Sequence, residues 1–267
     1  MILPHGRLLM VGAGNMGGAM LARWLEAGLS PERVTVVSPS GRAMPPGVDV
    51  VGAIPDDHFD TILLALKPQQ LGLVAAALAG RTPGLLLSIL AGVEEATLAR
   101  LCGAGAIVRA MPNLPVAIGR GVTALYSTTA NASTRAVAER LMHLLGHAEW
   151  IGDEALFDAV TALSGCGPGF VFRFIDALAQ AGAALGLDPD QARRLALATV
   201  AGSAAMAEAS DAAPAVLADR VASPGGSTRE GLNVLDRDEA LVQLLVATLT
   251  ASRDRNRAMA TAARGSA

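Results

Sequence analysis

The chain carries few side chains suited to acid–base chemistry. Its 267 residues include one lysine (Lys67), one tyrosine (Tyr126) and four histidines, and aromatic residues make up 3%. From Gly152 to the C-terminus there is neither lysine nor histidine. Enzymes that protonate a developing oxyanion usually draw on His, Lys or Tyr, so chemistry housed in that half must proceed without them. Two cysteines, Cys102 and Cys166, lie far apart with no paired spacing. That excludes a disulfide scaffold and a cysteine metal site; free thiols in a reducing compartment are expected, and no metal. A net charge of -3 and a pI near 5.8 supply no basic field for nucleic acid or an anionic membrane, which leaves a small molecule as the expected ligand. The apolar content of 52% is mostly Ala, Leu and Val, and its longest stretches are broken by Arg, Asp, Gln or Gly short of a bilayer span, so no transmembrane helix is expected. Residues Met1 to Arg7 lack a positive segment followed by a long apolar one with a small-residue cleavage site, which predicts no secretory signal and a cytoplasmic address.

What is present alternates. From Arg7 to about Ile151, short aliphatic runs exchange with helical stretches, the signature of a parallel α/β sheet. The runs predict strands at Leu8–Val11, Val34–Val37, Thr61–Leu66, Leu85–Ile89, Ala106–Ala110 and Val122–Tyr126. Helices are expected at Met16–Ala27, Gln70–Leu78, Val93–Leu101 and Ser133–Leu145. After Gly152 strand-like runs vanish and Ala-rich sequence with helical spacing continues to the end. Two domains follow from this change: residues 1–152, doubly wound α/β, and residues 153–267, all-helical. Gly165-Cys166-Gly167-Pro168 and Ser223-Pro224-Gly225-Gly226 interrupt the second, each placing Gly and Pro before a new helix. Its helices have so little polar face that either a partner subunit or a compact monomeric bundle must cover them.

Gly12-Ala13-Gly14-Asn15-Met16-Gly17 follows the first strand and opens a helix. In that context Gly-x-Gly-x-x-Gly is the dinucleotide fingerprint of a Rossmann fold: the first Gly turns tightly, the second admits a pyrophosphate to the backbone, and the third lets helix and strand pack closely. NAD requires an acid near the end of the second strand, roughly twenty residues on. The chain has Ser38-Pro39-Ser40-Gly41-Arg42 there, without an acid. Ser38, Ser40 and Arg42 suit a phosphate and predict NADPH, with NADH weaker, against the alternative of an ordinary polar loop. Ala65-Leu66-Lys67-Pro68 ends a strand at the edge where such folds bind ligands. Ala91-Gly92 and Met111-Pro112-Asn113 also follow strands and are candidates to border the nicotinamide, loop structure being the alternative.

In the helical half, Ser227-Thr228-Arg229-Glu230 reads as a capping box, with the preceding glycines admitting a ligand. A helix start there offers backbone N–H groups to a carboxylate, against the alternative of a well-capped helix alone. Thr228 could reach a polar atom of the same ligand. A cyclic imine, protonated on nitrogen before hydride arrives, asks less of a protein acid than a ketone does. The scarcity of acids therefore favours C=N over C=O reduction.

The order of these motifs, with Leu163-Ser164-Gly165-Cys166-Gly167-Pro168 and Val221-Ala222-Ser223-Pro224-Gly225-Gly226-Ser227-Thr228 the most specific, resembles pyrroline-5-carboxylate reductase over nearly the whole chain. The resemblance implies a Rossmann domain followed by a helical dimerisation domain. It also implies an active site shared with the partner subunit's helices, and dimers that assemble, five together, into decamers. At matching positions Ser223, Gly226 and Ser227 would hold the substrate carboxylate, and Thr228, the catalytic candidate, would bond the ring nitrogen. Hydride from NADPH would then convert pyrroline-5-carboxylate to L-proline. Cys166 stands where the family commonly has Ser, and Leu114 where Thr is frequent. A β-hydroxyacid dehydrogenase is the enzymatic rival, but it resembles families that use a lysine in the second domain. Another cyclic imine reductase and a non-enzymatic NADPH sensor are the remaining alternatives.

Overall fold

The computed structural model describes residues 6–41 and 43–265. Eight strands form one sheet: β1 Leu8–Val11, β2 Val34–Val37, β3 Asp49–Val51, β4 Thr61–Leu64, β5 Leu85–Ser88, β6 Ile107–Pro112, β7 Gly121–Tyr126 and β8 Gly146–Trp150. Their spatial order is β3-β2-β1-β4-β5-β6-β7-β8. All pairs are parallel except β6 with β7, where Pro112 faces Thr123. The short connection from Asn113 to Arg120 explains this exception, since a parallel return needs a long crossover.

The helices of this part are α1 Asn15–Glu26, α2 Leu71–Leu78, α3 Glu95–Leu98 and α4 Ala132–His143. Strand residues alternate between two cores. On one face Leu8, Met10, Val36, Leu63, Leu87 and Val108 pack with Trp24 of α1 and Leu141 of α4. On the other, Leu9, Val11, Ile62, Leu86 and Ile107 pack with Leu78 of α2 and Leu98 of α3. Burial on both faces is why the central strands read as continuous aliphatic runs. Fully buried Trp24 also donates its indole N–H to the Leu141 carbonyl (2.8 Å), joining α1 to α4.

β3 and β8 carry no strand signal in the sequence. The first is three residues long; the second is an edge strand whose His147 and Glu149 face outward. The helix expected over Val93–Leu101 contracts to α3, its flanks closing as turns such as Leu101 N–H to Leu98 C=O (3.0 Å).

Beyond β8 the chain is helical: α5 Phe157–Val160, a π-turn Thr161–Gly165, α6 Gly167–Ala184, α7 Pro189–Glu208, α8 Pro214–Arg220, α9 Ser227–Asp236 and α10 Ala240–Gly265. Two compact units result. The first extends to Cys166 and resumes at Ser252; the second is Gly167–Ala251. In the first unit Arg257 of α10 meets Asp158 (3.3 Å), and the Ser252 hydroxyl donates to Cys166 Sγ (3.2 Å).

In the second unit, α6 and α7 pack closely at Gly182, where an added Cβ would lie 3.4 Å from that of Ala192. Among the described residues of this unit the only buried side chains are Ala179, Ala192, Ala196 and Ala222. Phe172, Phe174, Leu195, Leu197, Leu244 and Val246 are all exposed. The helical run Glu154–Ala184 is long and apolar enough, by length and composition, to cross a membrane. It exceeds the apolar stretches read from sequence because Gly165–Pro168 does not end the helical run: the π-turn closes at Gly165 and α6 opens at Gly167.

Candidate active site

β1 has β2 on one side and β4 on the other, so chain connections diverge there and leave a crevice at the carboxyl ends of the strands. A cavity of about 560 Å³ occupies it, lined by Gly12–Gly17, the β2 end through Ser40, and Ala65–Lys67. The three glycines are required for different reasons. Gly12 has φ +91°, and a Cβ on it would lie 2.8 Å from the Ala65 carbonyl oxygen. At Gly17 a Cβ would press against Ala65 Cβ at 3.0 Å, so this glycine sets how closely α1 approaches β4. Gly14 differs: its φ of -66° is ordinary, and a Cβ would meet nothing within 4 Å. Its missing side chain leaves open space in the cavity rather than relieving a contact in the protein.

Gly14 is also the N-cap of α1. The N–H groups of Asn15, Met16 and Gly17 precede the first intrahelical bond, from Gly18 N–H to Gly14 C=O (2.8 Å). No side chain caps this turn and no acid stands in it. Uncapped donors at the positive end of a twelve-residue helix attract an anion. The cradle fits a dinucleotide's diphosphate.

At the end of β2, Ser38 and Ser40 lie in a turn closed by Gly41 N–H to Ser38 C=O (3.0 Å), with their hydroxyls 3.5 Å apart. Both line the cavity. Arg42 lies outside the described residues. Lys67 is exposed on the rim at the end of β4, its backbone N–H donating to Gln70 Oε1 (3.1 Å). Pro68, Ala91, Gly92 and Asn113 are not among the cavity's lining residues, whereas Gln70, Ile89, Met111 and Pro112 are. Gln70 and Ile89 went unrecognised because a lone glutamine and a strand-end isoleucine carry no sequence signal. An adjoining apolar hollow of about 280 Å³ shares Gly12, Pro39, Leu66 and Gln70 and continues to Ile54 and Leu73.

Behind the loop that carries Ala91 and Gly92 lies a buried charge network. The Glu95 carboxylate accepts from Thr128 N–H (3.0 Å) and from the hydroxyls of Thr128 (2.9 Å) and Thr129 (3.2 Å). Glu95 N–H donates to Glu154 Oε1 (2.7 Å), which also takes the Arg109 guanidinium (2.6 Å). That guanidinium lies 4.3 Å from the centre of the Phe157 ring. Tyr126 meets the same ring edge-on, and burial together with the carboxylates of Glu154 and Glu95 pushes its phenol up. Burial likewise raises the Cys102 thiol, and both cysteines are free.

In the helical unit, α9 begins at Ser227 as its sequence implied, but by a different device. Gly226 is the N-cap and no side-chain bond caps the helix, so Ser227 is the first helical residue instead of the cap of a Ser-x-x-Glu box. Gly225 has φ +69°, and Gly226 N–H returns to Ser223 C=O (2.9 Å). A Cβ on Gly226 would strike Ser223 Oγ at 2.6 Å. Ser227, Thr228 and Arg229 present N–H groups ahead of the first intrahelical bond, from Glu230 N–H to Gly226 C=O (3.2 Å). Ser223, Ser227 and Thr228 are exposed, and Arg229 pairs with Asp219 of α8 (2.7 Å), fixing the turn from below. This is a second uncapped anion cradle.

A sheet wound from a central switch point, a glycine cradle placed there and an appended helical unit define an NAD(P)-dependent oxidoreductase. Residues 7–92 match a family model described as NADP oxidoreductase coenzyme F420-dependent, and residues 154–259 match pyrroline-5-carboxylate reductase dimerisation. The pyrroline-5-carboxylate reductase of Pseudomonas aeruginosa is 36% identical over 255 residues, covering 89% of this chain and 92% of that protein. Among solved structures, a pyrroline-5-carboxylate reductase from Coxiella burnetii superposes with a TM-score of 0.84 at 29% identity, over 95% of this chain and 98% of that one. The Plasmodium falciparum pyrroline carboxylate reductase with NADP bound gives 0.80 at 29% identity, over 96% and 98%. The chain belongs to the pyrroline-5-carboxylate reductase family.

Proposed function

We propose that this chain carries out its family's reaction, reduction of L-1-pyrroline-5-carboxylate to L-proline, through two backbone anion cradles with NADPH as hydride source. The cofactor, when bound, supplies hydride from its dihydronicotinamide ring to the imine carbon. The Gly12–Gly17 turn and the N-terminus of α1 hold its diphosphate. Ser38, Ser40 and Arg42 receive the ribose phosphate in preference to a bare hydroxyl, and the apolar hollow reaching Ile54 takes the adenine. Ala65–Lys67, Ile89 and Met111–Pro112 bound the rest of the cavity.

The Ser223–Thr228 turn holds the substrate carboxylate. Ser223, Gly226 and Ser227 act mainly through backbone and hydroxyl donors, while Thr228 hydrogen-bonds the ring nitrogen. Because that nitrogen enters protonated from solvent, the hydride and that proton balance the reduction without a protein acid. The observation that carries this reading is Gly14, an unstrained glycine whose empty side opens on the cavity.

The same reading makes the protein a cytoplasmic homo-oligomer. A unit whose buried side chains are four alanines gains little from its own core, since burying a large aliphatic side chain contributes about 1.5–3 kcal/mol and alanine far less. Its exposed Phe and Leu side chains need cover. A second copy supplies it, with five dimers forming a decamer, and the Glu154–Ala184 run is subunit contact. The test is direct: protein, NADPH and pyrroline-5-carboxylate together deplete nicotinamide absorbance and yield proline. Turnover of a β-hydroxy acid with NADP, and none of the imine, would assign the rival dehydrogenase activity instead.

A further inference from the structure

We infer that Asn113 is a positioning residue for hydride transfer, not a cofactor ligand: it staples the cavity wall Met111–Pro112 to two neighbouring elements. The inference rests on the reductase reading above. Met111 and Pro112 line the cavity, and Pro112, the last residue of β6, has no N–H with which to hold its neighbour. The wall's position must therefore be fixed by the residue that follows.

Asn113 is 6% exposed and uses every part of itself to do this. Its side-chain carbonyl accepts Val122 N–H of β7 (2.8 Å), extending the antiparallel pairing one step past Pro112. Its side-chain amide donates to the Ser164 carbonyl (2.9 Å), which lies in the Thr161–Gly165 π-turn. Its own C=O accepts Val116 N–H (3.1 Å), starting the 3-10 turn Leu114–Ile118. The side chain thus ties two elements, β7 and the π-turn, and the backbone carbonyl a third, all at the residue that follows the wall.

The chemistry of the amide is specific. One end must accept and the other donate, so neither an ionised acid nor an apolar residue can replace it. In Asn113→Asp an ionised carboxylate would set an oxygen against the Ser164 carbonyl and push the π-turn away. Protonated, the same acid restores one donor and one acceptor. Turn and wall are held in a fixed relation only while both bonds exist. A displacement of about 1 Å of a group bordering the reacting atoms costs on the order of 10²-fold in rate.

The experiment compares wild type, Asn113→Ala and Asn113→Asp by NADPH fluorescence titration, steady-state kinetics and the primary deuterium isotope effect from C4-deuterated NADPH. Both variants are expected to lose about 10- to 100-fold in kcat while the Kd for NADPH stays within about threefold. The isotope effect should rise as hydride transfer becomes limiting. An aspartate buried as Asn113 is and set against the Ser164 carbonyl holds its proton above the ordinary carboxylate range, so relative to wild type Asn113→Asp should recover activity progressively as pH falls from about 8 towards about 5, and Asn113→Ala should not. A rise in Kd for NADPH with kcat preserved would make Asn113 a ligand and overturn the inference. Wild-type kcat in both variants would overturn it, and so would failure of both to fold, since the staple would then serve the fold. Wild-type protein inactive on the imine would instead refute the reductase reading.

Discussion

Replacing Gly14 with alanine separates binding from folding. Its backbone, φ -66° and ψ -165°, is open to any residue, and a Cβ there touches nothing within 4 Å. Two small effects on stability oppose each other. Alanine removes unfolded-state freedom, stabilising by about 0.4–1 kcal/mol, but is a poorer N-cap than glycine by several tenths to about 1 kcal/mol. The net is about zero, and the melting temperature should move by no more than about 2 °C. Binding should respond differently, because the new methyl group stands where a diphosphate approaches the α1 donors. Losing one charge-assisted hydrogen bond costs about 1.5–3 kcal/mol, a rise in Kd for NADPH of roughly 10- to 100-fold. Gly12→Ala is the counterpart. With φ +91° and a carbonyl 2.8 Å from the new Cβ, it combines about 1–2 kcal/mol of left-handed strain with about 1–3 kcal/mol of overpacking. Melting curves and fluorescence titrations on both variants decide the matter. Gly14→Ala binding NADPH like wild type, or melting like Gly12→Ala, would refute the cradle.

Thr228→Ala should lower turnover on the imine while leaving NADPH affinity nearly intact; unchanged turnover in steady-state assays removes Thr228 from the site. Arg42→Ala should weaken NADPH more than NADH, and equal losses in parallel titrations mean it holds no phosphate. Arg109→Met should destabilise the first unit by about 1–3 kcal/mol in urea melts, because it removes the guanidinium, itself only 5% exposed, that neutralises the partly exposed Glu154 carboxylate. A change below about 0.5 kcal/mol would mean that solvent and Glu95 N–H together satisfy Glu154 without Arg109.

The strands Leu8–Val11 and Val34–Val37 were legible to the residue because a double-sided core demands unbroken aliphatic runs and glycine or proline ends them. Gly12 and Gly17 were legible because backbone geometry and the Ala65 segment after β4 dictate them, and Gly14 because the Gly-x-Gly-x-x-Gly spacing marks it, its own φ of -66° and open surroundings dictating nothing. β8 was not, since an edge strand needs only Ala148 and Trp150 on its inner side and lets His147 and Glu149 face solvent. The α9 cap was half legible: glycine, serine and proline announced a helix start, but the choice of Gly226 over Ser227 depends on a backbone angle that several sequences could adopt. Met-Pro-Asn following a strand marks Asn113 as a candidate for the cofactor cavity, whose lining it does not join. Its partner Ser164 lies fifty-one positions away, and nothing local signals that bond. The weak polar face of the helices was legible, but the absence of any large buried side chain among the described residues of Gly167–Ala251 is a three-dimensional fact.

Transfer of deuterium tests the central claim most directly. Protein incubated with pyrroline-5-carboxylate and NADPH carrying deuterium at both C4 positions of the nicotinamide should give L-proline carrying one deuteron on the ring carbon that had been the imine carbon, adjacent to nitrogen and away from the carboxylate. Proline without deuterium there, or oxidation of the cofactor with no proline formed, would contradict hydride delivery to the C=N bond.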